Sequence, residues 1–257
     1  MGRKRRWGSK LNLMKVMRII RRNRLLRFLA CLLLAFPSGA LPQPQPLDEA
    51  SIIRGVDATV KARLDGIASY TVTEHYVVYR NSDEAHPAAE MTVKTTYQRD
   101  TGKSYAILSE SGSELIRKFV LQSILDNEKR INEPGTREGS WLTSANYEMK
   151  LKPGGTERLN GRDCYVLSID PRQKAPNLIV GSIWVDAKNQ SIVQLQGTAS
   201  KSISVFTGPT QVMRQYENVN GFAEATHARA ESESSLFGKT VVTIDYQGYE
   251  IEIRATQ

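Results

Sequence analysis

Cysteine and histidine are scarce in this sequence. The 257 residues contain two cysteines and three histidines. Cys31 lies in the N-terminal segment and Cys164 far behind it, so a chain that loses its N-terminus can form no internal disulfide. His75, His86 and His227 are scattered, and none has a second ligand at a spacing typical of a metal site. We therefore expect a fold held by its apolar core, with no metal and no cofactor.

Motifs for catalysis are also missing. The sequence has neither a glycine-rich phosphate loop nor a serine-nucleophile elbow. Cys164 begins the apolar run Cys164–Ile169, a position typical of a core residue and not of an activated nucleophile. We expect no catalytic residue and a protein that is not an enzyme. A hydrolase whose residues the sequence does not reveal is the lesser alternative.

Acidic residues are absent from the first 40 positions, and this explains the basic character of the chain. Eleven of the 35 lysines and arginines fall there, so 24 basic residues remain against 27 acidic ones in the rest. The net charge of +8 is thus a property of the N-terminal segment. A nucleic-acid partner, which requires a basic folded surface, is not expected.

The same N-terminal segment has the three parts of an export signal. A basic stretch ends at Arg27, an apolar core follows at Phe28–Phe36, and Ser38–Ala40 offers small residues for cleavage. The sequence predicts a cleavable signal peptide at residues 1–40 and a periplasmic location. Nine apolar residues fall well short of the roughly 20 needed to cross a bilayer, so no stable transmembrane anchor is expected.

The mature chain begins with a proline-rich tether at residues 41–47, and residues 48–257 are predicted to form one domain. Two stretches have apolar residues at helical spacing. The first starts at Asp48, a plausible N-cap, and continues to Ile67. The second starts at the apparent capping box Ser111–Glu114 and continues to about Ile131.

Elsewhere the apolar pattern alternates, as in strands that are dry on one face and wet on the other. Turn signals at Pro153–Gly155, Asn160–Gly161 and Asn220–Gly221 fall between such runs. A sheet of nine or ten strands is too wide to stay flat. We predict an α+β, mostly β domain: one curled antiparallel sheet, a half-open β-barrel, covered on its concave face by the amphipathic helices. The predicted strands are 69–80, 91–98, 104–109, 146–151, 164–170, 178–186, 191–197, 210–218, 222–230 and 239–250.

A curled sheet below two helices can enclose an apolar cavity, although the same residues can equally fill a core. The sequence alone does not separate these two possibilities. If a cavity is present, we expect large apolar and aromatic side chains of the concave face to bind the ligand. The candidates are Val72, Val93, Tyr97, Tyr147, Met149, Trp184 and Ile244.

Several segments resemble a known family. They are the helix running into residues 61–70, the stretch 159–171, and the strand-turn-strand formed by 183–186 and 192–195. Together with the export signal, they resemble the LolA-like outer-membrane lipoprotein-sorting proteins, a family that includes LolA, LolB and RseB. The resemblance implies a half-open antiparallel barrel with a helical lid and a cavity for acyl chains or lipoprotein.

The sequence therefore leads to two hypotheses of different kinds. The first is a periplasmic carrier that binds an acyl chain, a lipid or a lipoprotein, and outer-membrane lipoprotein sorting is one process in which such a carrier could act. The alternative is a non-enzymatic envelope protein of the RseB kind, an interaction or stress-sensor protein whose partner is another envelope protein.

Overall fold

The structure, a computed structural model, describes residues 48–81, 83–201, 208–234 and 238–255. The predicted signal peptide and proline-rich tether lie outside the described residues. Within them, no helix combines the length and the apolar character needed to cross a membrane.

The first helix, α1, spans Glu49–Gly66. Its N-cap is Asp48, as predicted, and the side chain accepts a hydrogen bond from the backbone nitrogen of Ser51 at 2.7 Å. This bond satisfies one of the amide groups that have no partner inside a helix. Ile52 and Val56 of the apolar stripe are fully buried in one core cluster with residues of the sheet.

In the described part of the chain, ten strands form one antiparallel sheet, which confirms the predicted fold class. Their order across the sheet is β3-β2-β1-β10-β9-β8-β7-β6-β5-β4. The strands are β1 Ile67–Arg80, β2 Ala89–Gln98, β3 Gly102–Gly112, β4 Tyr147–Leu159, β5 Arg162–Pro171, β6 Ile179–Asp186, β7 Ile192–Ala199, β8 Gln211–Val219, β9 Phe222–Ser234 and β10 Gly238–Ile253.

The two edges of the sheet are consecutive in the chain. β3 and β4 lie at opposite ends of the strand order, while β1 pairs with β10 along almost its whole length. The connection between the edge strands therefore has to pass from one side of the sheet to the other. It carries the second helix and a short 3₁₀ turn at Arg137–Ser140.

The second helix has three segments, which we call α2 together: Glu114–Ile116, a π-helical turn at Arg117–Leu121, and Gln122–Ile131. The predicted capping box was wrong. Ser111 belongs to β3, and the N-cap is Ser113, whose side chain accepts from the backbone nitrogen of Ile116. Ser111 is still part of β3, where it pairs with Glu90 of β2. The helix therefore begins later, and the next serine, Ser113, caps it.

The glycine-rich turn signals had different outcomes. Asn160–Gly161 and Asn220–Gly221 do connect neighbouring strands, and all four residues have positive φ angles, as tight hairpins require. Pro153–Gly155 instead lies inside β4, where the pairing with β5 shifts between Leu151 and Thr156. Because β4 is an edge strand, a proline without an amide donor is tolerated there as an irregularity.

The inner face of the sheet has two main core clusters. In the first, α1 packs on β4–β7 through Ile52 and Val56, which meet residues such as Leu167 and Ile183. In the second, α2 covers β1, β2 and β10. The second cluster contains Tyr76, Val78, Ala89, Met91, Val93, Ile116, Leu121, Leu125 and Val242.

Candidate ligand cavity

A cavity of about 530 Å³ lies between the two helices and the inner face of the sheet. Residues of α1, α2, the connection after α2 and most of the strands line it. The volume falls in the range of about 300–1,000 Å³ that is usual for small-molecule sites. The inner face is thus filled in some places and open in others.

The floor of the cavity owes its depth to small side chains on β9. Ala228 pairs with Ile244 of β10 and Arg214 of β8, and Ala230 occupies the next inward position of the same strand. All four line the cavity. Alanines in the middle of a wide sheet leave space that valine or isoleucine would fill. A sequence signal for the cavity was therefore present in the run Ala228–Ala230.

One side of the cavity is largely aliphatic. Residues of β6–β8, of α1 and of the connection after α2 form it. These side chains also belong to the core cluster under α1 or pack against it, so the wall continues the apolar core. We call it the aliphatic wall. It consists of Val60, Leu142, Ile179, Ile192, Leu195 and Val212.

The cavity lining also contains charged groups that are partly or fully shielded from bulk solvent. Arg63 of α1 donates from Nε and Nη2 to the two carboxylate oxygens of Glu224 on β9, both at 2.7 Å. The Glu224 side chain is only 2% exposed. Burial by itself would lower the pKa of Arg63, but Glu224 reverses the effect and the pKa is raised. Such a two-bonded pair satisfies both groups and fixes α1 to the sheet.

A second charged group joins β3, α2 and β8. Nζ of Lys103 donates to Glu128 at 3.0 Å, and Nη2 of Arg214 lies 3.9 Å from the other oxygen of the same carboxylate. Burial would raise the pKa of Glu128, but Lys103 and then Arg214 lower it below its ordinary value. Burial would likewise lower the pKa of Lys103, yet Glu128 holds it well above the usual range. All three groups are therefore ionised at neutral pH.

Tyrosines stand beside these charges. The rings of Tyr70 and Tyr97 are stacked with centroids 5.0 Å apart, and Tyr249 is tilted against Tyr70 at 5.9 Å. Burial raises the pKa of Tyr70, so its hydroxyl stays neutral. Nη1 of Arg137 donates to the Tyr97 hydroxyl at 3.1 Å. This part of the cavity thus presents rings and hydroxyl groups instead of alkyl side chains.

The connection after α2 is attached to both helix and sheet. Asp57 of α1 accepts hydrogen bonds from the backbone nitrogen and the hydroxyl of Ser144. Arg137 also donates to the backbone oxygen of Arg99. A few hydrogen bonds thus attach the connection after α2, whereas apolar packing in the core clusters attaches the helices.

Three of the seven predicted ligand residues line the cavity. Tyr97, Tyr147 and Ile244 come together there, from three separate strands. Val72, Val93 and Met149 are buried on the inner side in core clusters and are not part of the lining. Ligand contact stays a prediction for all of these residues.

Trp184, the seventh candidate, lies away from the cavity lining. Its neighbours Ile183 and Val185 belong to the core cluster under α1, and side chains alternate along a strand. The indole nitrogen of Trp184 donates to Glu157 of β4 at 2.8 Å. For this residue too, a role in binding stays a prediction.

The charged residues of the cavity were not found from the sequence. Lys103, Glu128 and Arg214 are distant in the chain and form no motif. Only for Arg214 was there a signal, because it lies between Val212 and Tyr216 on the inward side of a predicted strand. In the part of the chain that the structure describes, no group of three His, Cys, Asp or Glu side chains could hold a metal ion.

The described residues form one antiparallel sheet that is not closed, with helices over its inner face. No family model and no curated protein matches the sequence. A LolA superfamily protein of Nitrosomonas europaea is 12% identical, with a TM-score of 0.41, over 80% of this chain and 94% of its own. A DUF1329 family protein of Desulfovibrio piger is 14% identical, with a TM-score of 0.40, over 80% and 95%.

An outer membrane lipoprotein-sorting protein domain of Vibrio parahaemolyticus is 12% identical, with a TM-score of 0.43, over 79% of this chain and 92% of its own. The names of two of these three proteins are those of the family that the sequence resembles. At these identities and TM-scores, the function has to rest on the cavity itself.

Proposed function

We propose that this protein is an exported, non-enzymatic carrier that binds the apolar part of a ligand, an acyl chain, a lipid or a lipoprotein, in the cavity under its helices. The observation that carries the proposal is the open volume of about 530 Å³ above the alanines of β9. A folded core normally closes such a volume, because each unfilled space forfeits packing contacts.

The binding energy would come from removal of apolar surface from water. Each methylene group that enters a dry site contributes about 0.8 kcal/mol, equal to a factor of about four in affinity. The aliphatic wall offers the contacts for an alkyl chain, and the process needs neither a cofactor nor a covalent step. Reversible release is what a carrier requires.

The proposal extends to location. The basic stretch, the apolar core and the small-residue site at residues 1–40 support export to the periplasm. Sequencing of the mature N-terminus should begin at or near Leu41. A mature protein that still contains Arg27 and stays with membranes would contradict export as a free carrier.

A chain-length series tests the carrier function. Fatty acids of 8, 10, 12 and 14 carbons displace a fluorescent fatty acid, and native mass spectrometry of the purified mature protein reveals any lipid already bound. We expect affinity to rise about fourfold per methylene until the cavity is full and then to level off. Affinity that is independent of chain length, with no bound lipid, would contradict the proposal.

One observation favours the alternative of an interaction or sensor protein. Four large apolar side chains are about half exposed at the β3 edge of the sheet and on the neighbouring part of α2: Ile107, Leu108, Leu115 and Phe119. Apolar groups at an unpaired edge can bind another protein. Replacing Leu108 and Phe119 by serine should leave lipid uptake unchanged if the cavity is the functional site.

A further inference from the structure

The two arginines that border the cavity differ in how well their charges are matched. Arg63 makes two short bonds to Glu224, and both groups are satisfied by each other. Arg214 has to share Glu128 with Lys103, which lies closer to that carboxylate. Its own distance of 3.9 Å is beyond hydrogen-bonding range.

The guanidinium of Arg214 is also incompletely bonded. The Nε atom of Arg214 is buried and has no acceptor among the described residues. Elsewhere on the guanidinium, Arg214 makes a side-chain hydrogen bond with Tyr216. A guanidinium carries five N–H donors, and Nε is the one that is buried without an acceptor among the described residues. The side chain is nevertheless 36% exposed, so an anionic group of a ligand can reach this cation, and a hydrogen bond between two charged groups is stronger than one between neutral groups.

A further carboxylate lines the cavity but does not complete the site. Glu74 of β1 is buried and accepts a hydrogen bond from the Tyr76 hydroxyl. Among the described residues, no ion pair within 4.0 Å joins Glu74 to Arg214 or Lys103. In the part of the chain that the structure describes, Arg214 therefore has no carboxylate within hydrogen-bonding distance, and Glu128 at 3.9 Å is its one ion-pair partner there.

Arg214 is accessible from the place where an alkyl chain would lie. It lines the cavity, its side chain is 36% exposed, and on the same strand it is two residues from Val212 of the aliphatic wall. A chain packed on this wall would bring its polar end close to the guanidinium. The planar fork of arginine fits the paired oxygens of carboxylates and phosphates.

We propose that the ligand of this cavity is an amphiphile with an anionic head group, a carboxylate or a phosphate, and that Arg214 is the residue that recognises the head group. This inference rests on the carrier function proposed above and adds the class of ligand. Glu128 limits the preference, because it competes for the same cation.

The test varies the head group at constant chain length. Dodecanoate, dodecyl phosphate, dodecanol and dodecyltrimethylammonium compete with a fluorescent fatty acid on the full mature protein. We expect the better of the two anions to bind at least tenfold more tightly than the alcohol, and the cation to bind most weakly. The order of the two anions identifies the source of the charge, a fatty acid or a phospholipid.

Substitutions at two positions, Arg214 and Glu128, should change the preference for an anion in opposite directions. Arg214→Gln should remove the tenfold advantage of the anion while leaving dodecanol binding unchanged, and Arg214→Lys should keep part of it. Glu128→Gln removes the competing carboxylate and should increase the advantage. Arg158→Gln, an exposed position on β4, is the matched control and should change neither ligand.

The outcomes separate the two proposals. If acid, phosphate and alcohol bind the wild-type protein equally, the carrier function stands and the head-group inference is overturned. If none of the four ligands binds, the carrier function itself fails. The comparison of head groups on the wild-type protein does not depend on the folding of any variant, and an anion advantage that survives Arg214→Gln would assign it to another residue.

Discussion

Two neighbouring regions of the inner face differ in what lies above them. Over β1 and β2, Met91 and Val93 are buried beneath Ile116, Leu121 and Leu125 of α2. Over β8–β10, alanines and partly buried residues face an open volume. One continuous sheet face therefore contains both a filled core and a cavity. The size of the inward side chains and the reach of α2 decide which of the two is formed.

The filled region should be the most sensitive to charge. Val93→Asp places a carboxylate among fully buried apolar residues, and we expect a loss of several kcal/mol in unfolding free energy, enough to prevent folding. Thr92→Asp on the outer side of the same strand is the matched control and should cost less than about 1 kcal/mol. Denaturant unfolding measures both. If both variants lose the same free energy of unfolding, the inner face of β2 is not more deeply buried than its outer face.

Truncation compares the two regions directly. Leu121→Ala removes a fully buried side chain of α2 and should cost about 2–5 kcal/mol. Ile244→Ala, beside the open volume, removes fewer contacts and should cost only about 1 kcal/mol. The measurement is again the free energy of unfolding. A cost for Ile244→Ala as large as that for Leu121→Ala would mean that the cavity is closed in solution.

The filled region was easier to predict from the sequence than the cavity. Alternation in 91–98 assigns Met91, Val93 and Tyr97 to one face, and the structure puts Met91 and Val93 in the core. A strand can be predicted from the local sequence, because successive side chains point to opposite faces of the sheet and give an alternating apolar pattern. Whether a given inward position touches a helix or empty space depends on elements distant in the chain, and alternation contains no information about that.

The pairing of β1 with β10 shows the same limit at the level of topology. The two strands are separated by most of the domain in the chain, yet they are neighbours in the sheet, where Tyr70 pairs with Ile251. Local turn signals correctly predicted Asn160–Gly161 and Asn220–Gly221 but not the irregularity at Pro153 within β4. Packing between elements that are distant in the chain brings Lys103, Glu128 and Arg214 together, so the charged part of the cavity could not be inferred from spacing.

The charged group at the border between the two regions should make stability depend on pH. The pKa of Glu128 is below its ordinary value of 4.5 in the folded protein, so the carboxylate stabilises the fold above that pH and loses its effect as the pH falls through the folded pKa. Glu128→Gln should cost about 1–2 kcal/mol at pH 7. The difference from wild type should shrink progressively below about pH 4.5. Urea unfolding at pH 3 to 7 measures it, and a constant difference would contradict the ionised state assigned to Glu128.

The smallest effect on stability and the largest on binding are expected for a change that fills the open region. Ala230→Phe places a ring above the floor of the cavity, where it can occupy free volume without displacing the filled core. Phenylalanine also suits a strand, so the free energy of unfolding should change by less than about 1 kcal/mol. Fatty-acid uptake should fall at least tenfold, because the ring takes the place of several methylene groups of the ligand.

The control for this change is Gln215→Phe, which lies on the outer face of the adjacent strand β8 and outside the cavity lining. It adds a similar ring to the same sheet and should leave uptake at the wild-type level. Displacement of a fluorescent fatty acid and thermal unfolding of both variants complete the test. A large loss of stability for Ala230→Phe would show that the space is already occupied by protein, since overpacking a filled core typically costs about 1–3 kcal/mol. Unchanged uptake in a stable Ala230→Phe variant would place the binding site elsewhere, and the exposed apolar edge at β3 would then be the surface to test.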